Sequence, residues 1–157
     1  MLLAFGGLYI LVALVVLLLP IRYGLWGPSS LASLQGPYQG CLSRRSGRHT
    51  YHYVWLQDRQ VRFAVPWEIA SWFPQARFAS AARQGDLLTL TVPKSALASL
   101  GGGGDVPLFG VALGPSVYLE PDQARQEYLF QHKLGAVIFA GVGLILLAAR
   151  AAIRVRS

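Results

Sequence analysis

The stretch LGAVIFAGVGLILLAARAAI, residues 134–153, decides the reading of this chain, because it holds no ionisable side chain before Arg150. A hydrocarbon core roughly 30 Å thick takes about 20 helical residues at 1.5 Å each, and this stretch supplies them. A second apolar run, LLAFGGLYILVALVVLLL at residues 2–19, stands at the other end of the chain. The pattern predicts two transmembrane α-helices bracketing an inserted α+β domain. Composition agrees: 54% of the 157 residues are hydrophobic, 13% are charged, and the mean hydropathy is +0.42. A disordered chain is excluded by these values.

The predicted division is an N-terminal transmembrane helix over 1–22, a linker over 23–35, a β-rich extracytoplasmic domain over 36–120, and a stalk with the C-terminal transmembrane helix over 121–155. The first apolar run exceeds a signal-peptide core, lacks a charged leader, and has no small-x-small site before Pro20, so an uncleaved anchor is expected. Tyr23 and Trp26 beyond it suit the headgroup region. Arg150, Arg154 and Arg156 mark the C-terminal flank as cytoplasmic, against the single Arg22 at the first span. Two spans then place both termini in the cytoplasm and the domain outside. Lys94 and Lys133 are the only lysines and asparagine is missing altogether, as in GC-rich bacterial genomes. A bacterial inner membrane protein with a periplasmic domain is the expectation. The net charge of +7 is partly the tail's, so no nucleic-acid footprint is left for the domain.

Within the domain, turn residues and period-two patterning predict short strands. Pro37–Leu42 is one, Ser46-Gly47 a turn, and His49–Leu56 another, with Tyr51, Tyr53 and Trp55 alternating against His52, Val54 and Leu56. Val61–Val65, Leu87–Val92, Val106–Leu113 and Ser116–Leu119 complete five or six strands. That number predicts a small antiparallel β-barrel-like domain, OB- or SH3-like, with a short helix. The general layout resembles that of bacterial membrane proteins carrying such an inserted domain. Between the third and fourth strands, Ile69, Trp72, Phe73 and Ala76 follow helical spacing, predicting a plug packed against the barrel. Gly101–Gly104 predicts a loop, and Pro121 opens a helix that runs uninterrupted to about Val155.

Candidate chemistry is sparse. His49 and His52 point to opposite faces of one strand, Cys41 is the only cysteine, and no acidic cluster accompanies them, so no metal site and no cofactor are expected. Cys41 reads as a small buried hydrophobe, or as the bridge of a covalent homo-oligomer. The order of Ser29 or Ser30 after a first span, with Lys94 in a β-rich domain, resembles the Ser-Lys arrangement of signal peptidases. That resemblance implies a desolvated amine activating a hydroxyl, but Gly27–Leu31 lacks the family's sequence context. The predicted function is therefore contact rather than catalysis, with membrane lipid around the helices and another membrane or envelope protein as partner. The candidate binding residues are Trp67, Trp72 and Phe73 as an apolar surface and Arg44, Arg45 and Arg48 as a basic one. A lipid- or small-ligand-binding module is the alternative.

Overall fold

The computed structural model describes residues 2–22, 24–25, 30–102 and 104–155 and divides into two compact units. Tyr23, Trp26 and Ser29 lie outside the described residues, as do Gly103 and Arg156.

One unit is helical. Helix α1 runs Leu2–Arg22, and the last helix, α3, runs Pro121–Val155, its final part belonging to this unit. Among the described residues one helix is long and apolar enough to cross a membrane, Pro121–Ile153 within α3, while the apolar run of α1, Phe5–Ile21, is shorter. The two helices pack antiparallel. Tyr9 stacks on Phe139 with ring centroids 6.1 Å apart, and Gly135 faces Val16. At the tightest point a Cβ on Gly143 would stand 3.0 Å from the carbonyl oxygen of Gly6 and 2.8 Å from Ile10. The missing side chains of Gly6 and Gly143 permit this backbone approach. A Cβ on Gly141, by contrast, would face open space.

The other unit, residues 23–128, is built on a seven-stranded sheet. Its strands are β1 (Leu31–Ser46), β2 (His49–Leu56), β3 (Arg62–Val65), β4 (Leu87–Pro93), β5 (Asp105–Pro107), β6 (Gly110–Leu113) and β7 (Ser116–Leu119). Their order is β5-β3-β2-β1-β4-β6-β7, antiparallel except for the parallel pair β3–β5. The ladder does not close on itself, so the expected antiparallel barrel is corrected to an open mixed sheet. The change of neighbours is visible in the segment read from sequence as one strand, Val106–Leu113. The Leu108 N–H donates to Ala64 of β3 and the Phe109 N–H to Thr91 of β4, so the segment passes from one neighbour to the other at these two buried residues, and only three residues, Asp105–Pro107, pair with β3 before β6 joins β4.

Strand β1 has sixteen residues where Pro37–Leu42 was expected, since Leu31–Gln35, read as linker, is strand, as are Gly36 and Ser43–Ser46. Leu34 and Gly36 face inward, while Ser33 and Gln35 meet Thr91 and Thr89 across the ladder, with Gln35 Nε2 donating to Thr89 Oγ1 at 3.1 Å. Small polar side chains on the outer face gave the segment its linker-like composition. The first part of β1 pairs with β4 and the second with β2, the register shifting between Tyr38 and Gly40. A two-residue loop joins β1 to β2, and Gly47 takes φ +59° at its first central position, where a side chain would be strained.

The inward faces supply the core. On β2 the buried residues are His52, Val54 and Leu56; Phe63, Val65, Leu88, Leu90, Phe109 and Val111 join them. Each fully buried side chain of this size contributes about 1.5–3 kcal/mol of transfer free energy. Helix α2 (Gln75–Ala81) presents Phe78, whose ring meets Tyr38 of β1 at 5.5 Å and Tyr118 of β7 at 5.2 Å. Gly110 is obligatory: a Cβ there would lie 2.5 Å from Pro121 and 2.7 Å from Thr91.

Candidate functional site

The segment after β3 positions the aromatic candidates. Pro66 precedes a 3-10 helix over Trp67–Trp72, and the Ile69 N–H donates to the Pro66 carbonyl at 3.1 Å. Ile69 and Ala70 are buried, leaving Trp67 and Trp72 48% and 45% exposed. Phe73 is 3% exposed and belongs to the core, against the expectation that it shares their surface. Its backbone is extended (φ −93°, ψ 106°), so the 3.6-residue period breaks at that joint and Ala76, on the next helix, faces solvent.

Trp67 stands between two concavities. On one side a recess of about 360 Å³ is lined by Arg48, His49, Thr50, His52, Ala70, Ser71 and Phe73 with Trp67 itself. The His49 and Trp67 rings are 4.2 Å apart. His52 is held from three sides: its ring packs edge-on against Phe73 at 5.5 Å, Nδ1 is 2.6 Å from Ser43 Oγ, and the ring donates to the Ala70 carbonyl. Burial holds its pKa below the ordinary histidine value despite the Ala70 bond, so the neutral ring is the native form. Ser43 and His52 are cross-strand partners in the β1–β2 ladder, a placement that locks the ring rather than presenting it.

On the other side lies a cleft of about 290 Å³ lined by Tyr51, Tyr53, Ala64, Val65, Pro66, Trp67, Glu68, Asp105, Pro107 and Tyr128. Ala64 is its floor, since in register it stands between Tyr53 of β2 and Pro107 of β5, and its methyl leaves the space between those rings unfilled. Arg62 closes one edge: its Nε donates to Asp105 Oδ1 at 2.6 Å and its guanidinium sits 5.2 Å from the Tyr53 ring centroid. Burial raises the Glu68 carboxyl above its usual range, opposed by a hydrogen bond from its own backbone.

Of the basic candidates, Arg44 and Arg45 lie at the exposed end of the β1–β2 hairpin and only Arg48 reaches a concavity, the one beside His49. Trp72 lines neither. The structure thus joins Arg48, Trp67 and Phe73 in one recess and leaves Arg44, Arg45 and Trp72 outside it. Cys41 is a free, half-buried thiol; its Sγ accepts from Gln75 Nε2 at 3.6 Å, and burial together with a hydrogen bond to Cys41 raises the Tyr38 hydroxyl pKa.

Ser30 and Lys94 are neighbours, the Lys94 N–H donating to the Ser30 carbonyl at 2.8 Å. Ser30 Oγ is buried without a hydrogen-bond partner among the described residues, while Lys94 is exposed. Among the described residues no three metal-ligating side chains cluster.

Sequence reasoning did not single out the Tyr51–Tyr53 cleft. The signal was present in the alternation along β2, whose aromatic set was read only as one of two strand faces. Glu68, Asp105 and Tyr128 come from three other elements, and no local pattern joins them. Compared with known families, with curated proteins and with solved structures, the chain matches none.

Proposed function

We propose that this chain is a two-span bacterial inner-membrane protein whose sheet domain, on the periplasmic side, acts by contact with another membrane or envelope protein. The observation that carries the contact reading is the pair Trp67 and Trp72, each close to half exposed on a helical turn whose intervening Ile69 and Ala70 are locked in the core. Large aromatics held rigid on a surface are the residue type that dominates protein contacts, because little conformational entropy is lost when they are covered.

The two-span reading is supported by the antiparallel packing of α1 on α3 and by what surrounds it. Leu11, Val137 and Ile145 are 62%, 68% and 69% exposed on the outer faces of that pair, a surface suited to lipid. Orientation rests on Arg150, Arg154 and Arg156. The strand pairing supports a partly open OB-like arrangement, with β1 to β4 and the broken segment Asp105–Leu113 as its five members.

Two experiments test this reading in native membranes. A photo-crosslinking residue at position 67 or 72 of the full chain should capture one discrete protein, while the same residue at exposed Leu97 should not; adducts with lipid alone would remove the protein-contact reading. For topology, Arg45→Cys in a Cys41→Ser background should react with a membrane-impermeant maleimide in spheroplasts. Protection until lysis would place the domain in the cytoplasm.

A further inference from the structure

The recess between the hairpin tip and Trp67 carries a charge that its own walls do not balance. Arg48 lines it together with the hydroxyl side chains of Thr50 and Ser71, and no acidic residue is among its lining. Arg45 is the direct cross-strand partner of Thr50, so it leaves the hairpin on the same face and stands at the rim. Among the described residues the side chains of Arg45, Arg48, Thr50 and Ser71 have neither a hydrogen-bond nor an ion-pair partner. Of the two histidines, His52 is already engaged by Ser43 and the Ala70 carbonyl, and His49 lies against the Trp67 ring, so both serve as wall.

The backbone fixes these donors in place. Gly47, at φ +59°, and Arg48 form the two-residue loop between Ser46 and His49, a tight turn that holds Arg48 at the strand ends. Ser71 comes from the 3-10 helix, where Ile69 and Ala70 beside it are buried. Donors from the hairpin and from the helix thus line one space of about 360 Å³, within the range of ligand pockets, roughly 300–1,000 Å³. Their number narrows the class. A guanidinium offers a fork of N–H groups to an anion's oxygens, and each hydroxyl can give one bond more. A carboxylate has only its pair of oxygens to receive them, whereas a phosphate monoester has three free oxygens and a charge of about −1.5 to −2 at neutral pH.

We propose that this recess binds a phosphate monoester, its terminal oxygens held by Arg48, Thr50 and Ser71 and its remaining charge countered by Arg45. The monoester would be carried either by a soluble compound or by the headgroup of a phosphatidic-acid-type lipid. The proposal goes beyond the contact reading and is independent of it, because Trp72 lies outside the recess.

The test uses the full-length protein in nanodiscs of phosphatidylcholine, titrated with glycerol 3-phosphate in a calorimeter. Saturable binding is expected, with sodium acetate weaker by about tenfold. Arg48→Gln should weaken binding about tenfold, and Ser71→Ala, which removes one hydrogen bond, about fivefold. Both side chains are exposed, so neither change threatens the fold, and circular dichroism identical to wild type checks this. Arg44→Gln removes the same charge from the opposite face of the hairpin, where Arg44 pairs with Tyr51, and should leave binding unchanged. An equal loss at Arg44 and Arg48 would mean that only the net charge of the hairpin is felt, and overturns the proposal. So does a heat signal no different from that of sodium chloride at equal ionic strength, or binding unchanged by Arg48→Gln. If phosphatidic acid added to the nanodisc competes with glycerol 3-phosphate and phosphatidylglycerol does not, the lipid headgroup is the source; if neither competes, a soluble monoester is. Equal competition by the two lipids removes the preference for a monoester and overturns the proposal as well. Crosslinking at position 72 reads the contact function separately, so the two can fail independently.

Discussion

The helical unit and the sheet unit use the same apolar residue types and turn them in opposite directions. In the helical unit Leu11 and Ile145 are 62% and 69% exposed, whereas in the sheet unit Leu56, Phe63 and Phe109 are fully buried. The backbone also differs. Helices satisfy their own hydrogen bonds and so tolerate a surrounding without water, while an open sheet leaves edge groups at β5 and β7 that need water or a partner. The apolar side chains of the helical pair are thus left facing outward, while those of the sheet are covered by the sheet unit itself.

The largest effect expected is on the sheet side. Phe63→Ala should remove about 3–5 kcal/mol, because a buried ring is lost and its cavity cannot fully collapse. Chemical denaturation followed by circular dichroism in detergent measures it, and a loss below 1 kcal/mol, as for exposed sites, would show that Phe63 is not core. The helical side is broken differently. Gly143→Leu should destabilise the pair by about 1–3 kcal/mol, the usual range for overpacking, since the new side chain meets the Gly6 backbone. The readout is disulfide formation between Tyr9→Cys and Phe139→Cys in a Cys41→Ser background, which should fall sharply when Gly143 is replaced.

A smaller effect is tied to pH. His52 has a lowered pKa in the folded state, so below the ordinary value near 6.5 the unfolded chain binds the proton more readily. Stability of the sheet unit should therefore decline as pH falls through 6.5 toward the depressed folded value, and be unaffected above it. His52→Gln should flatten that slope, and denaturation midpoints across the range would register an unchanged slope if the argument fails. The smallest effect is expected at the surface: Trp72→Ala should alter stability by no more than about 0.5 kcal/mol. Ile69→Ala, three residues earlier on the same turn, should cost about 2–5 kcal/mol.

What could be read from residues alone followed how local the cause was. The alternation in His49–Leu56 announced its strand, and Pro121 announced the start of α3, because both signals lie within a few residues of their effect. Leu31–Gln35 was misread as linker because its strand is stabilised by Thr89 and Thr91, far along the chain. The break at Leu108–Phe109 is set by which strands lie on either side, β3 before and β4 after, and no period within Val106–Leu113 encodes it. Helical spacing put Ile69, Trp72, Phe73 and Ala76 on one packed face, but only Ile69 and Phe73 are buried, because that period was carried across a joint where the helix had ended. The candidate site suffered most, since Tyr51 and Tyr53 become a cleft only when β3, β5 and two helical segments bring Ala64, Asp105, Glu68 and Tyr128 beside them.

Strand β1 has one more consequence. Its first part pairs with β4 over Leu31–Pro37 and its second with β2 over Tyr38–Ser46, and the two ladders meet at its middle, where the Tyr38 N–H donates to the Asp86 carbonyl just before β4 and the Pro37 carbonyl accepts from the Gln57 N–H just after β2. Either ladder can fray from its far end without loosening this junction, so the Tyr38 amide should be among the last in β1 to take up deuterium.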